Sequence, residues 1–359
     1  MDPLDKAFLV GLIKHTAVAV SVMILFTLLL FRFLIKRKSI GERIKNTLVM
    51  SWTFTMMFLF LEIVFVFIPF SQGMRRVNHS SRLWKFYYWK PINELGYRDA
   101  YLSKKDTARI KLLFIGDSFT AGAGIENTAD RVSDKINSLC KNCTSFNAGK
   151  NGVDTKTEYK NLLAYPVKPD IIVLQHFVND VDIAAANNGV SFFYQFKPLN
   201  NISAPLAFVI EKSCLINFFY WKFSREFPVT NYTDYVQKAY QTETVISEHL
   251  NDLDKIIDYA KRNSIELYVL SYPMLNIDPD NAVNSYTKKI TEHLSQKTVP
   301  FVNVADLIRK EQISIDKRVV NSTDPHPSTF LNEKVAQELT VLIAASQQKN
   351  KTENKIVWP

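Results

Sequence analysis

Two long apolar stretches occupy the beginning of the chain. The only charged residue from Thr16 to Ile35 is Arg32, and the only one from Thr47 to Phe70 is Glu62. A helix needs about 20 mainly apolar residues to cross the hydrocarbon core of a bilayer, and both stretches reach that length. A signal peptide is the alternative for the first stretch, but no small-residue cleavage site follows it. The pattern therefore predicts two transmembrane helices.

From about residue 110 onward, short apolar runs alternate with segments of helical periodicity. This alternation is typical of a parallel sheet with crossover helices, so the predicted fold class is α/β, a three-layer α/β/α domain with a five-stranded parallel sheet. The predicted strands are Lys111–Ile115, Thr144–Asn147, Ile171–His176, Glu266–Ser271 and Phe301–Val304, and the predicted helices are Ala129–Leu139, Thr155–Ala164, Tyr235–Arg262, Asn284–Ser295 and Phe330–Ala345.

These patterns divide the chain into four predicted parts. Residues 1–70 form a two-helix transmembrane anchor, residues 71–105 a connector rich in aromatic residues, residues 106–349 the α/β domain, and residues 350–359 a C-terminal tail. Within the domain, residues 186–234 form an insertion with two aromatic clusters. Loops of this length are usually functional or contain helices of their own. We expect the insertion to cover the carboxyl end of the sheet, to pack on the domain, or to contact a partner or the membrane.

The net charge of +9 belongs to the membrane region. Residues 1–90 contain 13 Lys and Arg against 4 Asp and Glu, whereas residues 91–359 contain 31 of each. Basic residues beside a membrane meet anionic headgroups, and a formally neutral domain does not call for a polyanion. No nucleic-acid partner is expected.

Basic residues also predict the orientation in the membrane. The loop between the apolar stretches is rich in Lys and Arg, whereas the tail before Leu9 contains Lys6 alone among Lys and Arg, so the loop is expected in the cytoplasm. This makes the chain a multi-pass protein of a cell (inner) membrane, with its large domain on the outer, periplasmic side. Basic residues after the second stretch favour the opposite orientation, but long domains translocate largely regardless of charge. Since a lone charge within a span is costly, Glu62 is expected to pair with Lys14.

The first candidate for chemistry lies at the end of the first strand. The sequence FIGDSFTAGAG, from Phe114 to Gly124, places Ser118 between a strand and a turn rich in small residues. A hydroxyl at a strand end beside a helix N-terminus is well placed for a nucleophile. A solvated serine in an ordinary turn is the alternative for this motif taken alone.

Two further motifs follow later strands. The sequence FNAGKNGVDT supplies Gly152, whose N–H we favour over that of Gly149 as a donor to an oxyanion. The sequence IIVLQHFVNDVD ends a buried strand at Asn179, whose amide can donate to the same oxyanion. A turn glycine with positive φ and a local strand-end cap are the structural alternatives.

The fourth motif, STDPHPSTF, precedes the last helix and contains His326 and Asp324. His326 can take a proton from Ser118, and Asp324 can orient the imidazole and stabilise its cation. Cys140 and Cys143 form a single CxxC without clustered His residues, which predicts a local disulfide or two ordinary thiols rather than a zinc site.

In order and content, these four motifs resemble the SGNH (GDSL-type) hydrolase superfamily, with Ser118, Gly152, Asn179 and His326 at its four namesake positions. The resemblance extends from about residue 111 to 347. It implies a flavodoxin-like sheet and an oxyanion hole formed by the Ser118 N–H, the Gly152 N–H and the Asn179 side chain. It also implies action on esters or acyl groups with no metal and no other cofactor.

Two motifs depart from the family pattern. The third has Phe177 where a glycine is usual, and the fourth is one residue shorter than the common Asp-x-x-His, which leaves the orienting role of Asp324 open. The segment Asn93–Tyr101 is similar to the lead-in of bacterial, membrane-tethered members. The expected function is hydrolysis of an ester, or acyl transfer, on an envelope glycan or lipid through an acyl-enzyme at Ser118. An O-acyltransferase acting on a polysaccharide and a non-catalytic glycan-binding or scaffold protein are the alternatives.

Overall fold

The computed structural model describes residues 3–37, 41–72, 79–106, 109–190, 202–223 and 229–351. The chain divides into two compact units. Met1–Tyr87 and Phe196–Arg225 form the first, which we call the anchor unit; Tyr88–Gln195 and Glu226–Pro359 form the second, the α/β unit. All five predicted strands belong to the α/β unit, whereas both apolar stretches belong to the anchor unit.

The helices and strands follow one another in this order along the chain. The strands are β1 (Ile110–Ile115), β2 (Cys143–Asn147), β3 (Ile171–His176), β4 (Glu266–Ser271), β5 (Phe301–Asn303), β6 (Val319–Asn321) and β7 (Asp324–Pro327). The helices are α1 (Pro3–Lys36), α2 (Glu42–Val66), α3 (His79–Tyr88), α4 (Ser118–Ala121), α5 (Val132–Leu139), α6 (Thr155–Ala164), α7 (Asp182–Asn187), α8 (Ala204–Lys212), α9 (Cys214–Phe223), α10 (Val229–Gln241), α11 (Glu243–Arg262), α12 (Tyr286–Gln296), α13 (Val304–Lys310), α14 (Ile315–Arg318) and α15 (Thr329–Lys351).

Helices α1 and α2 of the anchor unit contain the two apolar stretches, and both are long and apolar enough to cross a membrane. The predicted partner of Glu62 is wrong: among the described residues, Glu62 Oε1 lies 3.1 Å from His15 Nε2, not beside Lys14. Successive residues of a helix point about 100° apart, because one turn takes 3.6 residues, so His15 and Lys14 cannot both face α2.

Part of the predicted insertion also belongs to the anchor unit. Its residues 202–223 form α8 and α9, which lie in the same compact unit as α1 and α2. Residues 191–201 and 224–228 of the insertion, including its first aromatic cluster, lie outside the described residues. That the insertion covers the carboxyl end of the sheet stays a prediction.

The five-stranded sheet has the order β2-β1-β3-β4-β5, with every neighbouring pair parallel. After β2 the chain returns past β1 and adds β3 on its other side, so the strand order reverses at the β1–β3 pair. Ligands of doubly wound sheets bind at the carboxyl ends of the strands that flank such a reversal. Ser118 follows β1 and Asn179 follows β3, which places both at this edge.

Apolar side chains cover both faces of the sheet. Since successive strand residues point to opposite faces, Leu113 and Ile115 join one core, while Leu112 and Phe114 join the other. Helices α6, α11 and α12 complete the first core, and α5, α13 and α15 complete the second. The three layers confirm the predicted α/β/α fold class and its five-stranded parallel sheet.

One difference from the sequence predictions is a break in a long helix. The predicted helix Tyr235–Arg262 is two helices, α10 and α11, separated at Thr242, which has an extended ψ of 114°. The Thr242 hydroxyl donates to the Lys238 carbonyl at 2.7 Å, the kind of local hydrogen bond that favours threonine at helix ends. The apolar period continues on both sides of this break and does not reveal it.

Another difference is the antiparallel hairpin of β6 and β7, in a segment for which the sequence predicts no strand. Its register pairs Asn321 with Asp324 and Val319 with Pro327. The hairpin places Asp324 and His326 in one strand, β7.

Candidate active site

The turn after β1 gives Ser118 its position. Asp117 caps α4 by accepting a hydrogen bond from the Phe119 N–H at 2.8 Å, and Ser118 is the first residue of that helix. The helix ends after one turn at Gly122, whose φ of +76° lies in the left-handed region that favours glycine. Ser118 is therefore partly exposed at the carboxyl end of β1, with its N–H at a helix N-terminus.

Ser118, His326 and Asp324 form a continuous relay. His326 Nε2 lies 2.9 Å from Ser118 Oγ, and His326 Nδ1 lies 2.5 Å from Asp324 Oδ1. An ionised carboxylate only accepts hydrogen bonds, so Nδ1 carries the proton and Nε2 is free to accept from the serine hydroxyl. Side chains two residues apart in a strand point to the same face. The short Asp-Pro-His spacing thus suits an orienting carboxylate on β7.

The electrostatic surroundings of His326 favour its protonated form. Burial disfavours the imidazolium, but the negative charge of Asp324, its hydrogen bond and the charge of Asp117 together raise the pKa of His326 above its ordinary value. Asp324 itself is only 1% exposed, so its charge acts on the imidazole with little screening by water. The cation that forms when His326 takes a proton is therefore stabilised.

Asn179 lies in a 3-10 turn, Val178–Val181, directly after β3. Burial raises the pKa of the Asp117 carboxyl, which is next to Ser118 in the sequence. The side chain of Asn179 interacts with this carboxyl and partly opposes the rise. Its position at the reversal of the sheet order and beside the serine turn is consistent with an oxyanion donor.

The two candidate glycines after β2 differ in their surroundings. Gly149 is packed so tightly that an added Cβ would lie 2.3 Å from the Ala121 backbone nitrogen, and its own N–H donates to Asn147 Oδ1 at 2.9 Å. Gly152 has a φ of +70° and open space around its Cα: among the described residues, nothing beyond its chain neighbours lies within 4 Å of the place that a Cβ would take. Gly149 serves packing, whereas the oxyanion role of Gly152 stays a prediction.

A group of buried carboxyls lies behind the serine turn. Burial, followed by the charges of Asp117 and Asp154, raises the pKa of Glu158 well above its usual range. The pKa of Asp180 is raised well above its range too, mainly by burial and by the charge of Glu158, although its Oδ2 accepts from the Phe177 N–H at 2.7 Å. The side chain of Asp180, the neighbour of Asn179 in the 3-10 turn, interacts with Glu158 and partly opposes the rise of its pKa.

Two buried histidines support the same turn. His176 Nε2 and His249 Nε2 lie 3.0 Å apart, so one of the two rings donates to the other. Burial lowers the pKa of His249 to about 4 and that of His176 well below its ordinary value, and both rings are therefore neutral near pH 7. The Tyr240 hydroxyl donates to the Val178 carbonyl at 3.3 Å, which further fixes the turn that carries Asn179.

The sequence prediction of the site omitted the residues that hold the serine turn from the other side. Arg98 is buried and donates to the carbonyls of Gly122 at 2.5 Å and Ile125 at 2.6 Å. Its neighbour Asp99 accepts from the Asn147 N–H at 2.9 Å, at the end of β2. The resemblance of Asn93–Tyr101 to membrane-tethered proteins was the only signal for these residues, and it did not indicate their contacts.

The CxxC segment forms a disulfide between Cys140 and Cys143, one of the two predicted possibilities. Both cysteines are buried in the core that lies over α5 and α15. The bond closes the turn between α5 and β2.

No family model and no curated protein matches the sequence. Among solved structures, the chain is similar to a member of the lipolytic protein G-D-S-L family from Veillonella parvula, at 12% identity and a TM-score of 0.39, over 65% of this chain and 98% of that chain. It is also similar to Axe2, an acetylxylan esterase from Geobacillus stearothermophilus, at 16% identity and a TM-score of 0.40, over 65% and 93% of the two chains.

Proposed function

We propose that this chain is a membrane-anchored serine esterase of the SGNH (GDSL-type) class, with Ser118 as nucleophile. The single observation that carries the proposal is the relay from Ser118 through His326 to Asp324, with contacts of 2.9 Å and 2.5 Å. A partly exposed serine hydroxyl that donates to a histidine oriented by a buried carboxylate is the arrangement required for nucleophilic acyl transfer.

The proposed reaction has two halves. In the first, Ser118 Oγ attacks the ester carbonyl while His326 Nε2 takes the hydroxyl proton, and the ester C–O bond then breaks as His326 returns the proton to the leaving alcohol. In the second, His326 takes a proton from water, whose oxygen attacks the acyl-enzyme. The bond between the acyl carbon and Ser118 Oγ then breaks as His326 returns the proton to Ser118 Oγ, which releases the carboxylic acid. In both halves, the N–H groups of Ser118 and Gly152 and the amide of Asn179 stabilise the oxyanion.

Hydrolysis is favoured over acyl transfer because no acceptor site is evident in the described residues and water is always present. A non-catalytic glycan-binding or scaffold protein is disfavoured, because its site would not need to keep a serine, a histidine and a carboxylate in one relay. The substrate class that we propose is an acylated glycan, a lipid or another ester of the cell envelope.

Membrane anchoring by α1 and α2 is part of the proposal. Their length and apolar surface suit a bilayer, and the basic loop between them is expected in the cytoplasm. The α/β unit would then lie on the outer, periplasmic side. The Cys140–Cys143 disulfide supports this side, because disulfides persist in oxidising compartments and are rare in the cytosol.

The decisive experiment is labelling of the full chain with a fluorophosphonate, followed by mapping of the labelled peptide by mass spectrometry. We expect a single labelled serine, Ser118, no labelling in Ser118→Ala, and labelling slowed by orders of magnitude in His326→Ala. Ser314→Ala, which removes an exposed serine at the start of α14, is the matched control and should label normally. Labelling at another serine, or none in a folded chain, would overturn the assignment.

A second experiment separates hydrolysis from transfer. A chromogenic acetyl ester is supplied with and without envelope oligosaccharides, and free acetate and acetylated sugar are measured separately. Acetate alone across the panel supports the esterase, whereas acetylated sugar in excess of acetate would favour the O-acyltransferase.

A further inference from the structure

A hairpin of two short apolar helices belongs to the anchor unit although it comes from the middle of the sequence. It consists of α8 and α9, residues Ala204–Phe223, and we call it the α8–α9 hairpin. We propose that this hairpin is a third membrane element, which lies in the lipid at the level where α2 ends and contacts the acyl chains of one leaflet. The proposal rests on the membrane anchoring proposed for α1 and α2, and it does not depend on the esterase activity.

The hairpin is held at a defined level by one buried carboxylate, Glu62 of α2. Glu62 Oε2 accepts from Ser213 Oγ at 2.8 Å and from the Leu215 N–H at 3.1 Å. Glu62 Oε1 accepts from the Cys214 N–H and contacts His15 Nε2 at 3.1 Å. Both oxygens are thus occupied, and Glu62 acts as the N-terminal cap of α9 although it comes from another helix.

This capping satisfies the groups that a bilayer would otherwise leave without partners. The first N–H groups of a helix have no partner within the helix, and in hydrocarbon each one left unsatisfied costs several kcal/mol. In α9, Glu62 binds two of them, and Ser213 Oγ accepts from a third, the Ile216 N–H, at 3.0 Å. The side chain of Asn217 is satisfied as well, since its amide donates to the Ile210 carbonyl at 3.0 Å and its oxygen accepts from the His79 N–H at 3.2 Å.

The position of Glu62 fixes the depth of the hairpin. Glu62 lies four residues before Val66, the last residue of α2, which is about 6 Å at a rise of 1.5 Å per residue. Helices that lie on a membrane bury their apolar face by about 5–10 Å, so this level is the boundary between headgroups and acyl chains. Helices α8 and α9 have only 9 and 10 residues, about half the length needed to cross the hydrocarbon.

The hairpin packs part of its apolar surface and exposes the rest, which we call the exposed face. Phe218 lies against Phe65 and Phe70, with ring centroids 4.9 and 5.6 Å apart. The exposed face is formed by large apolar side chains, of which Phe208 is 61% and Phe223 is 70% exposed. Its other members are Leu206, Val209 and Phe219.

Lipid is the occupant that fits this face best. The end of α2, in the same unit, also exposes large apolar side chains, those of Phe60 and Phe67. Lys212 and Lys222 lie on the hairpin with their ammonium groups over the rings of Phe208 and Phe218, at 5.9 and 5.4 Å. Long basic side chains of this kind reach anionic headgroups while their stems stay in apolar surroundings.

A metal site is the other use that the same cluster suggests. The ligand atoms of His15, Glu62 and Cys214 lie within 4.8 Å of one another. Both oxygens of Glu62, however, already accept hydrogen bonds from the start of α9. The cluster is therefore better suited to fixing a helix than to binding a cation.

The test places a fluorophore on the exposed face and asks what surrounds it. Full-length Phe208→Cys and Phe223→Cys chains, on a Cys214→Ser background, are labelled with bimane and reconstituted in vesicles of phosphatidylcholine and phosphatidylglycerol. Phe330→Cys is the matched control, because Phe330 is a phenylalanine of α15 in the α/β unit and is 40% exposed. Emission is compared between vesicles with and without bromine on the acyl chains, and with and without iodide in the water.

We expect acyl-chain bromine to quench the labels at positions 208 and 223 by about twofold more than at 330, and iodide to show the reverse order. Iodide quenching at 208 and 223 without an effect of bromine would mean that the face meets water. Protection from both quenchers would mean that protein covers it. Either result overturns the proposal.

The role of Glu62 is tested with the same labels. In Glu62→Leu, the donors at the start of α9 lose their acceptor, so we expect bromine quenching at both positions to fall to the level of the control. Glu42→Leu removes the other acidic residue of α2, which is exposed in its first turn, and should leave quenching unchanged. Unchanged quenching in Glu62→Leu would show that Glu62 does not hold the hairpin in lipid.

Failure of the hairpin proposal is distinguishable from failure of the proposed function. Release of the chain from membranes by alkaline carbonate would refute anchoring by α1 and α2. Absence of fluorophosphonate labelling at Ser118 would refute the esterase. A chain that stays in the membrane and labels normally, but shows no bromine quenching at positions 208 and 223, refutes the hairpin proposal alone.

Discussion

Replacement of Asp324 by asparagine is the sharpest test of how the relay works. Asp324 Oδ1 lies 2.5 Å from His326 Nδ1, and Asp324 is 1% exposed, so water cannot replace the lost contact. An asparagine amide of nearly the same shape can donate to Nδ1, which would leave the proton on Nε2. His326 could then no longer accept from Ser118, because its Nε2 would already be a donor.

The expected loss follows from that change of tautomer. Carboxylate-to-amide replacement in a serine triad lowers kcat by about 10⁴-fold, and each factor of ten corresponds to about 1.4 kcal/mol, so we expect a barrier higher by about 4–5.5 kcal/mol. The pH dependence should change as well. Asp324 raises the pKa of His326, and the base must be neutral, so kcat/KM of the native chain rises with pH through a midpoint above 6.5. Without the charge of Asp324, this midpoint moves to lower pH.

The assay measures hydrolysis of a chromogenic acetyl ester by the full chain from pH 5 to pH 9. Asp316→Asn is the control, because Asp316 lies on α14, close in sequence, and is fully exposed. It should retain the native rate and the native pH profile. An Asp324→Asn chain within about tenfold of the native rate, with an unshifted acid limb, would refute the orienting role of Asp324.

Three further predictions concern the groups that support the site. In Arg98→Met, the carbonyls of the serine turn lose a buried cationic donor. We therefore expect thermal unfolding at a lower temperature and fluorophosphonate labelling slowed by at least about tenfold. Melting and labelling like those of the native chain would contradict this expectation. Burial lowers the pKa of His249 to about 4, so the neutral ring contributes up to about 3 kcal/mol of stability above pH 6.5, and this contribution is lost as the pH falls towards 4. His249→Gln should show a weaker fall of the melting temperature over this range. A fall identical to that of the native chain would exclude His249 as the source of the pH dependence. Burial raises the pKa of Glu158, so the folded chain loses stability as the pH rises from about 4.5 through the pKa of Glu158 in the folded state. Glu158→Gln should therefore raise the melting temperature more at pH 8 than at pH 4.5. An equal change at both pH values would contradict a titrating Glu158.

Much of the architecture follows from the sequence alone. The spacing of apolar residues reports which side of an element avoids water, and this was sufficient for the five strands and for the length of the two apolar helices. The order of strands and helices then implied a parallel sheet, whose carboxyl ends lie at one edge. Ser118 and Asn179 each follow a strand, so their shared edge was predictable before any contact was known.

The contacts between distant segments were decided only by the tertiary structure. Periodicity shows that a face is apolar, but not which surface it meets, so the membership of α8 and α9 in the anchor unit had no sequence signal. In the same way, the choice of His15 over Lys14 as the neighbour of Glu62 depends on the rotation of α1 about its axis. The spacing of Asp324 and His326 looked one residue too short until the strand β7 placed both side chains on one face, because two residues of a strand complete one repeat of its pleat.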